Sequence, residues 1–151
     1  MTDKRDTPEW MGKNSGLSPQ EVADFLSGPV VARVATIDED GYPYITPVWQ
    51  EWDGGRFRMI VSHGDVKAAH VRARPEAAIV VAEHTPPYRG VEAHGAATLR
   101  DEDYPELAER MVARYLAGVF PPELDRVGHV LTLEPARFRA WSFADWYGAT
   151  S

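Results

Sequence analysis

The sequence predicts a mainly β (α+β) fold, a small antiparallel barrel of six to seven strands with about three flanking helices. Short segments rich in valine, isoleucine and aromatic residues recur along the chain, and the turn sequences Asp40-Gly41 and Asp53-Gly54-Gly55 separate the first three of them. Aspartate and glycine tolerate the positive φ angles of tight hairpins, so these strands are predicted to pair antiparallel. Three segments with apolar residues at helical spacing lie before and between the strands.

Length and composition narrow the class of protein further. The chain has 151 residues, which suits one domain, and we expect residues 1–16 to form a loose arm, 17–143 the domain and 144–151 a tail. Trp10 is the predicted docking residue of the arm. The absence of cysteine excludes disulfides and thiolate metal sites, and a net charge of −7 argues against a nucleic-acid binder. No apolar segment resembles a signal peptide or membrane span, so a cytoplasmic protein without membrane partners is expected.

The sequence pattern of the first half of the chain predicts one helix and three strands. Ser18 and Glu21 form a capping box with proline at the first helical position, and the helix ends at Gly28-Pro29. The strands follow as Val30–Ile37, Tyr42–Trp52 and Arg56–Ser62. Pro43 and Pro47 cannot donate to a ladder, so the second strand is predicted to have an open edge, a bulge near Pro47, or both.

The second half predicts two helices and four strands. A helix from Asp65 to Arg74 precedes a strand at Ala77–Glu83, and a proline-rich loop leads into a strand at Val91–Leu99 with Gly95 as a point of close approach. The remaining predicted elements are a helix from Asp103 to Ala117, a turn with a short helical piece at Phe120–Gly128, and strands at His129–Glu134 and Phe138–Phe143.

The junction between the third strand and the second helix is a candidate anion site. Unpaired backbone N–H groups and the helix dipole favour an anion at a helix N-terminus, where Val61, Ser62 and His63 lead into the helix. Lys67 lies in the first turn, where a cation is unfavourable unless an anion binds. His70, Arg72 and Arg74 extend the basic cluster, although each arginine alone suits a solvated helix surface.

Aromatic residues supply a second indication of a ligand. Trp49 follows Pro47, and Tyr88 lies in a proline-stiffened loop, so both suit the walls of a pocket for a flat ligand. Trp52 and Trp141 are predicted core residues.

No catalytic residue can be assigned from motifs. The five histidines form no H-x-x-x-H or H-E-x-x-H pair, and neither a G-x-S-x-G elbow nor a phosphate-binding glycine loop occurs. We therefore expect no metal, with a site assembled from distant residues as the alternative.

The chain resembles the flavin- and deazaflavin-dependent oxidoreductases with a pyridoxamine 5′-phosphate oxidase-like split β-barrel. The matching segments are ARVATIDEDGYPYITPVW at 32–49, the helix opening at Lys67, RARP at 72–75 and YRGVEAHGAA at 88–97. In order, they cover roughly residues 17–139. The chain departs from the family at Asp65 and Val66, where a second basic residue is common, and at His70, where asparagine is common.

This resemblance implies a homodimer that binds FMN or coenzyme F420 across the subunit interface, with F420 slightly favoured. The implied phosphate segment is Val61, Ser62, His63 and Lys67, the implied ring segment is Thr46, Pro47, Val48 and Trp49, and the implied partner loop is Pro87, Tyr88 and Arg89.

The implied activity is hydride transfer between the cofactor and a small unsaturated or quinone-like substrate. His63, Tyr88 and solvent are the candidate proton donors. Pyridoxamine phosphate is not the expected substrate, because the basic C-terminal ending of that oxidase is missing. A non-catalytic flavin- or haem-binding carrier or sensor is the alternative function, and a structural barrel without a ligand is a third.

Overall fold

The structure, a computed structural model, describes residues 16–144. The predictions of an arm that docks through Trp10 and of a C-terminal tail fall on residues 1–15 and 145–151, which lie outside this range. The three helices are α1 (Pro19–Leu26), α2 (Val66–Ala73) and α3 (Tyr104–Leu116). The seven strands are β1 (Ala32–Ile37), β2 (Pro43–Val48), β3 (Glu51–Asp53), β4 (Arg56–Val61), β5 (Glu76–Ala82), β6 (Gly90–Arg100) and β7 (His129–Trp141).

All seven strands belong to one curled antiparallel sheet, a half-barrel, in the order β2-β1-β5-β6-β7-β4-β3. The predicted fold class, a split barrel with about three helices, is therefore confirmed. β2 is an edge strand, and its register with β1 runs without interruption from Ala32↔Val48 to Ile37↔Pro43. Pro43 and Pro47 thus lie on an open edge rather than beside a bulge.

Two predicted strand boundaries were wrong. The segment predicted as one strand from Tyr42 to Trp52 is divided into β2 and β3, and the two last predicted strands are one continuous β7. Pro135 lies inside β7, opposite a register shift between His94 and Gly95 of β6. This shift is a β-bulge, and a bulge can hold proline because the ladder does not require an N–H donor from it. The short helix predicted within 120–128 is absent, since this segment consists of turns and bends.

Helix termini follow the predicted caps in two of three cases. The Ser18 hydroxyl accepts from the Glu21 amide and the Glu21 carboxylate accepts from the Ser18 amide, both at 3.1 Å. Asp65 caps α2 by accepting from the Lys67 amide at 2.8 Å. Asp103 precedes α3 but makes no side-chain cap bond, and its carboxylate accepts from Arg58 instead.

One side of the sheet holds the larger core cluster, which includes Phe57, Met59, Ile79, Leu131 and Leu133. Trp52 packs against it with ring centroids 4.7 Å from Phe57 and 5.3 Å from Phe138, as predicted for a core residue. A second cluster joins α3 to the sheet through Tyr104, Leu107, Ala108, Met111 and Val130. None of the helices within residues 16–144 is long and apolar enough to cross a membrane.

Candidate functional site

Strand register divides the predicted site residues between the two ends of the sheet. Ala32 of β1 pairs with both Val48 and Val81, and Ala82 pairs with Gly90, so the loop that joins β5 to β6 lies at the same end as Val48. At the other end, Val61 pairs with His129 and Arg100 pairs with Val130. β6 spans 11 residues between these ends, which is roughly 33 Å at about 3.3 Å per residue.

The junction between β4 and α2 forms an exposed loop above a partly buried cation. Ser62, His63 and Gly64 are exposed, whereas Lys67 is only 8% exposed. The Lys67 ammonium donates to the Asp65 carboxylate at 3.0 Å, and the same carboxylate caps the helix. The Asp65 carboxylate therefore already pairs with this lysine, and a bound phosphate would compete with Asp65 for it.

The predicted basic cluster on α2 has partners in several directions. The His70 ring lies 2.9 Å from the Thr36 hydroxyl of β1 and meets the Tyr44 ring of β2 edge-on at 5.3 Å, so it holds α2 against both strands. The Arg74 guanidinium donates to the Glu39 carbonyl at 3.3 Å. Arg72 alone of these three contacts a side chain on β7.

That contact belongs to a polar cluster that sequence reasoning missed. The Arg72 guanidinium lies 2.8 Å from His129 Nε2, and His129 Nδ1 lies 2.5 Å from the Asp101 carboxylate. The His63 ring is 4.5 Å from the His129 ring, and its Nε2 is 3.4 Å from Asp101. The hydrogen bond from His129, with smaller contributions from His63, holds the pKa of Asp101 below its ordinary value.

The segment on β2 contains an unpartnered buried hydroxyl. Thr46 Oγ1 is one of two buried side-chain polar atoms without a hydrogen-bond partner among the described residues. Pro47 is exposed and Val48 packs against the core. Trp49 stacks on Tyr115 with centroids 5.3 Å apart and an interplanar angle of 9°, so α3 already covers one of its faces. Local sequence around Trp49 could not reveal this distant partner.

The loop from Pro87 to Arg89 lies at the opposite end of the sheet from Lys67. The Arg89 guanidinium binds the Glu83 carboxylate in a bidentate manner at 3.0 and 2.9 Å. This pairing lowers the pKa of Glu83 and raises that of Arg89. Tyr88 is 39% exposed and has a φ of 53°. One chain therefore does not bring this loop to the phosphate segment.

The residues present nevertheless fit a phosphorylated, ring-bearing cofactor. The exposed loop before α2 offers a hydroxyl, an imidazole and a helix N-terminus to a phosphate. The orphaned Thr46 hydroxyl offers a hydrogen bond to a ring placed along β2, because a buried polar group without a partner is costly. His70 and Tyr44 tie the two segments together.

Comparisons with known proteins agree with this fold. Residues 18–142 match the family model described as "Pyridoxamine 5'-phosphate oxidase". The conserved hypothetical protein Rv2991 from Mycobacterium tuberculosis aligns with a TM-score of 0.72 and 23% identity, over 91% of this chain and 92% of that chain.

Two further solved structures have names that refer to a cofactor. A protein named F420 Reductase aligns with a TM-score of 0.67 and 25% identity, over 76% of this chain and 93% of that one. HutZ, a haem storage protein from Vibrio cholerae, aligns with a TM-score of 0.59 and 16% identity, over 79% and 91%. The curated protein sequences contain no significant match.

Proposed function

The chain belongs to the pyridoxamine 5′-phosphate oxidase family, and from this premise we propose that it is a reductase dependent on F420 or, less favoured, FMN. The proposed reaction transfers a hydride between the bound cofactor and a small unsaturated or quinone-like substrate. The similarity to the protein named F420 Reductase, at 25% identity over 93% of that chain, carries the proposal. The residues also support the proposal, because the loop before α2 suits the cofactor phosphate and the Thr46 hydroxyl suits its ring.

Each segment of the chain has a distinct task in this proposal. The loop of Ser62 and His63, with Lys67 behind it, holds the phosphate, while the Thr46 hydroxyl orients the ring along β2. The cofactor supplies the hydride chemistry, and the protein supplies binding, orientation and exclusion of water. His63 in this loop is half exposed and Tyr88 is 39% exposed, so both candidate proton donors have access to solvent.

Two opposite substitutions test the phosphate role of Lys67. Lys67→Ala should weaken cofactor affinity by about ten- to a hundredfold, the loss expected for one charge-assisted hydrogen bond. Asp65→Asn keeps a helix-capping side chain but removes the carboxylate that now holds the Lys67 ammonium at 3.0 Å. It should therefore increase the affinity. Fluorescence titration of cofactor-free protein measures both changes.

The alternative is that Lys67 serves only its pairing with Asp65. Both variants would then change stability while leaving cofactor affinity unaltered, and this outcome would reject the phosphate role. Thermal unfolding of each variant separates the two explanations, because a structural role affects the unfolding temperature without ligand.

The identity of the cofactor can be tested side by side. Cofactor-free protein titrated with F420, FMN and haem should bind F420 most tightly, and reduced F420 should then be oxidised by at least one member of a panel of quinone-like acceptors. Tighter binding of FMN would overturn the preference for F420. Tight haem binding without turnover would favour a carrier, a function otherwise supported only by the fold shared with HutZ.

The proposed site requires a second subunit, because Pro87, Tyr88 and Arg89 lie at the far end of the same sheet from Lys67. A homodimer would allow the partner's loop to complete the site. The face of β2, β1 and β5 that carries Ile45, Ala35 and Ala78 is a suitable interface, since Ile45 is 64% exposed and these three residues pair across the strands. We name this surface the outer face.

Charge placed on the outer face should dissociate the proposed dimer. Ile45→Glu should shift the protein from dimer to monomer in sedimentation velocity at micromolar concentration, because an interface core tolerates an unpaired charge poorly. Val127→Glu is the matched control, since Val127 is similarly exposed at 63% but lies in the loop before β7. A wild-type protein that sediments as a monomer with cofactor bound would refute the dimer.

A further inference from the structure

Three potential metal ligands converge where β4 and β6 end and β7 begins. His63, Asp101 and His129 each offer one ligand atom, and these atoms all lie within 4.8 Å of one another. We propose that these residues form a binding site for a divalent transition-metal ion, with His63 Nε2, His129 Nδ1 and an Asp101 oxygen as ligands. The site shares His63 with the phosphate segment but does not depend on hydride transfer.

The distances between the ligand atoms suit such an ion after a small adjustment. Bonds of about 2.0–2.2 Å in a tetrahedral site place neighbouring ligand atoms roughly 3.3 Å apart. His63 Nε2 and Asp101 Oδ2 are already 3.4 Å apart. His129 Nδ1 and Asp101 Oδ1 are at hydrogen-bonding distance, 2.5 Å, so the pair must open by under ~1 Å to admit a metal.

The chemistry of the ligands selects a class of metal. Two imidazole nitrogens and one carboxylate oxygen suit Zn²⁺, Co²⁺, Ni²⁺ or Fe²⁺, whereas Mg²⁺ and Ca²⁺ prefer oxygen ligands throughout. His129 is 8% exposed and forms the floor of the site, while His63 and Asp101 are exposed. Three protein ligands with solvent on one side leave a coordination position for water, as in catalytic zinc sites.

Arg72 competes with the metal. A guanidinium can only donate a hydrogen bond, so His129 Nε2 must accept in its 2.8 Å contact with Arg72. The ring proton of His129 is then on Nδ1, which is the nitrogen that would bind the metal. Metal binding at Nδ1 moves that proton to Nε2, which then repels the Arg72 donor. Because Arg72 is exposed, it can turn into solvent when the ion arrives.

Cobalt titration of the metal-free, cofactor-free protein tests the site. One equivalent of Co²⁺ should produce visible d–d absorption, which Zn²⁺ should abolish by displacement. Removal of an outer hydrogen-bond partner typically weakens metal affinity by ~10- to 100-fold, and removal of a ligand should weaken it more. Asp101→Asn and His63→Ala should therefore each weaken cobalt binding by at least about 100-fold. Both residues are exposed, which avoids the folding risk of replacing the buried His129.

Two further variants sharpen the test. His94→Ala is the matched control, because His94 is as exposed as His63, at 50%, but pairs with Glu92 on β6. It should bind cobalt like the wild type. Arg72→Met removes the competing donor and should tighten binding by about tenfold.

The absence of the cobalt spectrum, or equal affinity of the Asp101→Asn and His94→Ala proteins, would overturn the site. Unchanged affinity in Arg72→Met would overturn the competition. Cobalt binding by a protein that binds neither F420 nor FMN would support the metal site while rejecting the proposed function.

Discussion

Replacement of Gly95 by alanine should destabilise the protein by about 3 kcal/mol or more, the upper range for overpacking a well-filled position. A Cβ atom on Gly95 would lie 1.8 Å from the Glu134 carbonyl oxygen and 3.1 Å from the Ala136 amide nitrogen. Both are backbone atoms of the β-bulge, so relief requires the β6–β7 ladder to separate rather than a side chain to turn.

Gly28→Ala is the matched control for this variant. The added Cβ would meet the Phe25 carbonyl oxygen at 3.7 Å and a Val30 methyl at 3.8 Å, which are ordinary contacts. Its free energy of unfolding should remain within about 0.5 kcal/mol of the wild type. Urea denaturation of the three proteins measures the difference, and equal midpoints for Gly95→Ala and Gly28→Ala would show that the bulge relaxes freely.

The variant Glu51→Gln should lose about 2–3 kcal/mol of stability at neutral pH. Glu51 opens β3 and is 9% exposed. Its carboxylate accepts two hydrogen bonds from Arg110 of α3, at 2.7 and 3.1 Å, and lies 3.6 Å from Arg58. Neutralising the carboxylate leaves these guanidinium groups without their shared partner and loosens α3 from the sheet.

The pH dependence of this loss has a definite sign. Burial raises the pKa of Glu51, but the hydrogen bond from Arg110 and the charges of Arg110, Arg58 and Arg114 outweigh it and hold the pKa below its ordinary 4.5. The stabilisation is therefore complete above pH 4.5 and disappears as the pH falls through the lowered pKa. The stability gap between wild type and Glu51→Gln should shrink accordingly in acid.

Glu92→Gln provides the comparison for Glu51→Gln. Glu92 accepts from Arg139 at 2.9 Å and lies 2.8 Å from His94, but its side chain is 30% exposed compared with 12% for Glu51. An exposed pair contributes about 0–1 kcal/mol, so this variant should be nearly as stable as the wild type. Equal losses of stability in the two variants would show that the burial of Glu51 does not strengthen its ion pairs.

Local sequence patterns predicted the parts of the fold that depend on neighbouring residues. The capping box at Ser18, the Asp65 cap and the hairpin at Asp40-Gly41 each require contacts within four residues, and all occur in the structure. The pairing of Lys67 with Asp65 is also local, and a capping acid two residues before a lysine was visible in the sequence.

Contacts across the fold escaped prediction because their partners are distant in sequence. Two strands were predicted at His129–Glu134 and Phe138–Phe143, yet β7 continues through Pro135 because Gly95, forty positions earlier, leaves room for a bulge. The stacking of Trp49 on Tyr115 of α3, which covers one face of the predicted ligand wall, could not be read from the sequence around Trp49. The cluster of His63, Asp101 and His129 requires knowledge of which strand ends are adjacent, which periodicity along a single chain does not contain.

The two edges of the sheet restrict how this protein can join other chains. At one edge, Pro43 and Pro47 deprive β2 of donors, and at the other, β3 is only three residues long. A peptide from another chain could extend the sheet only by pairing with one of these two edge strands. β2 does not offer it a full row of amide donors, and β3 is too short. Self-association is thereby directed away from fibre-like, edge-to-edge growth and toward closed contacts between side-chain surfaces, where shape rather than backbone pairing selects the partner.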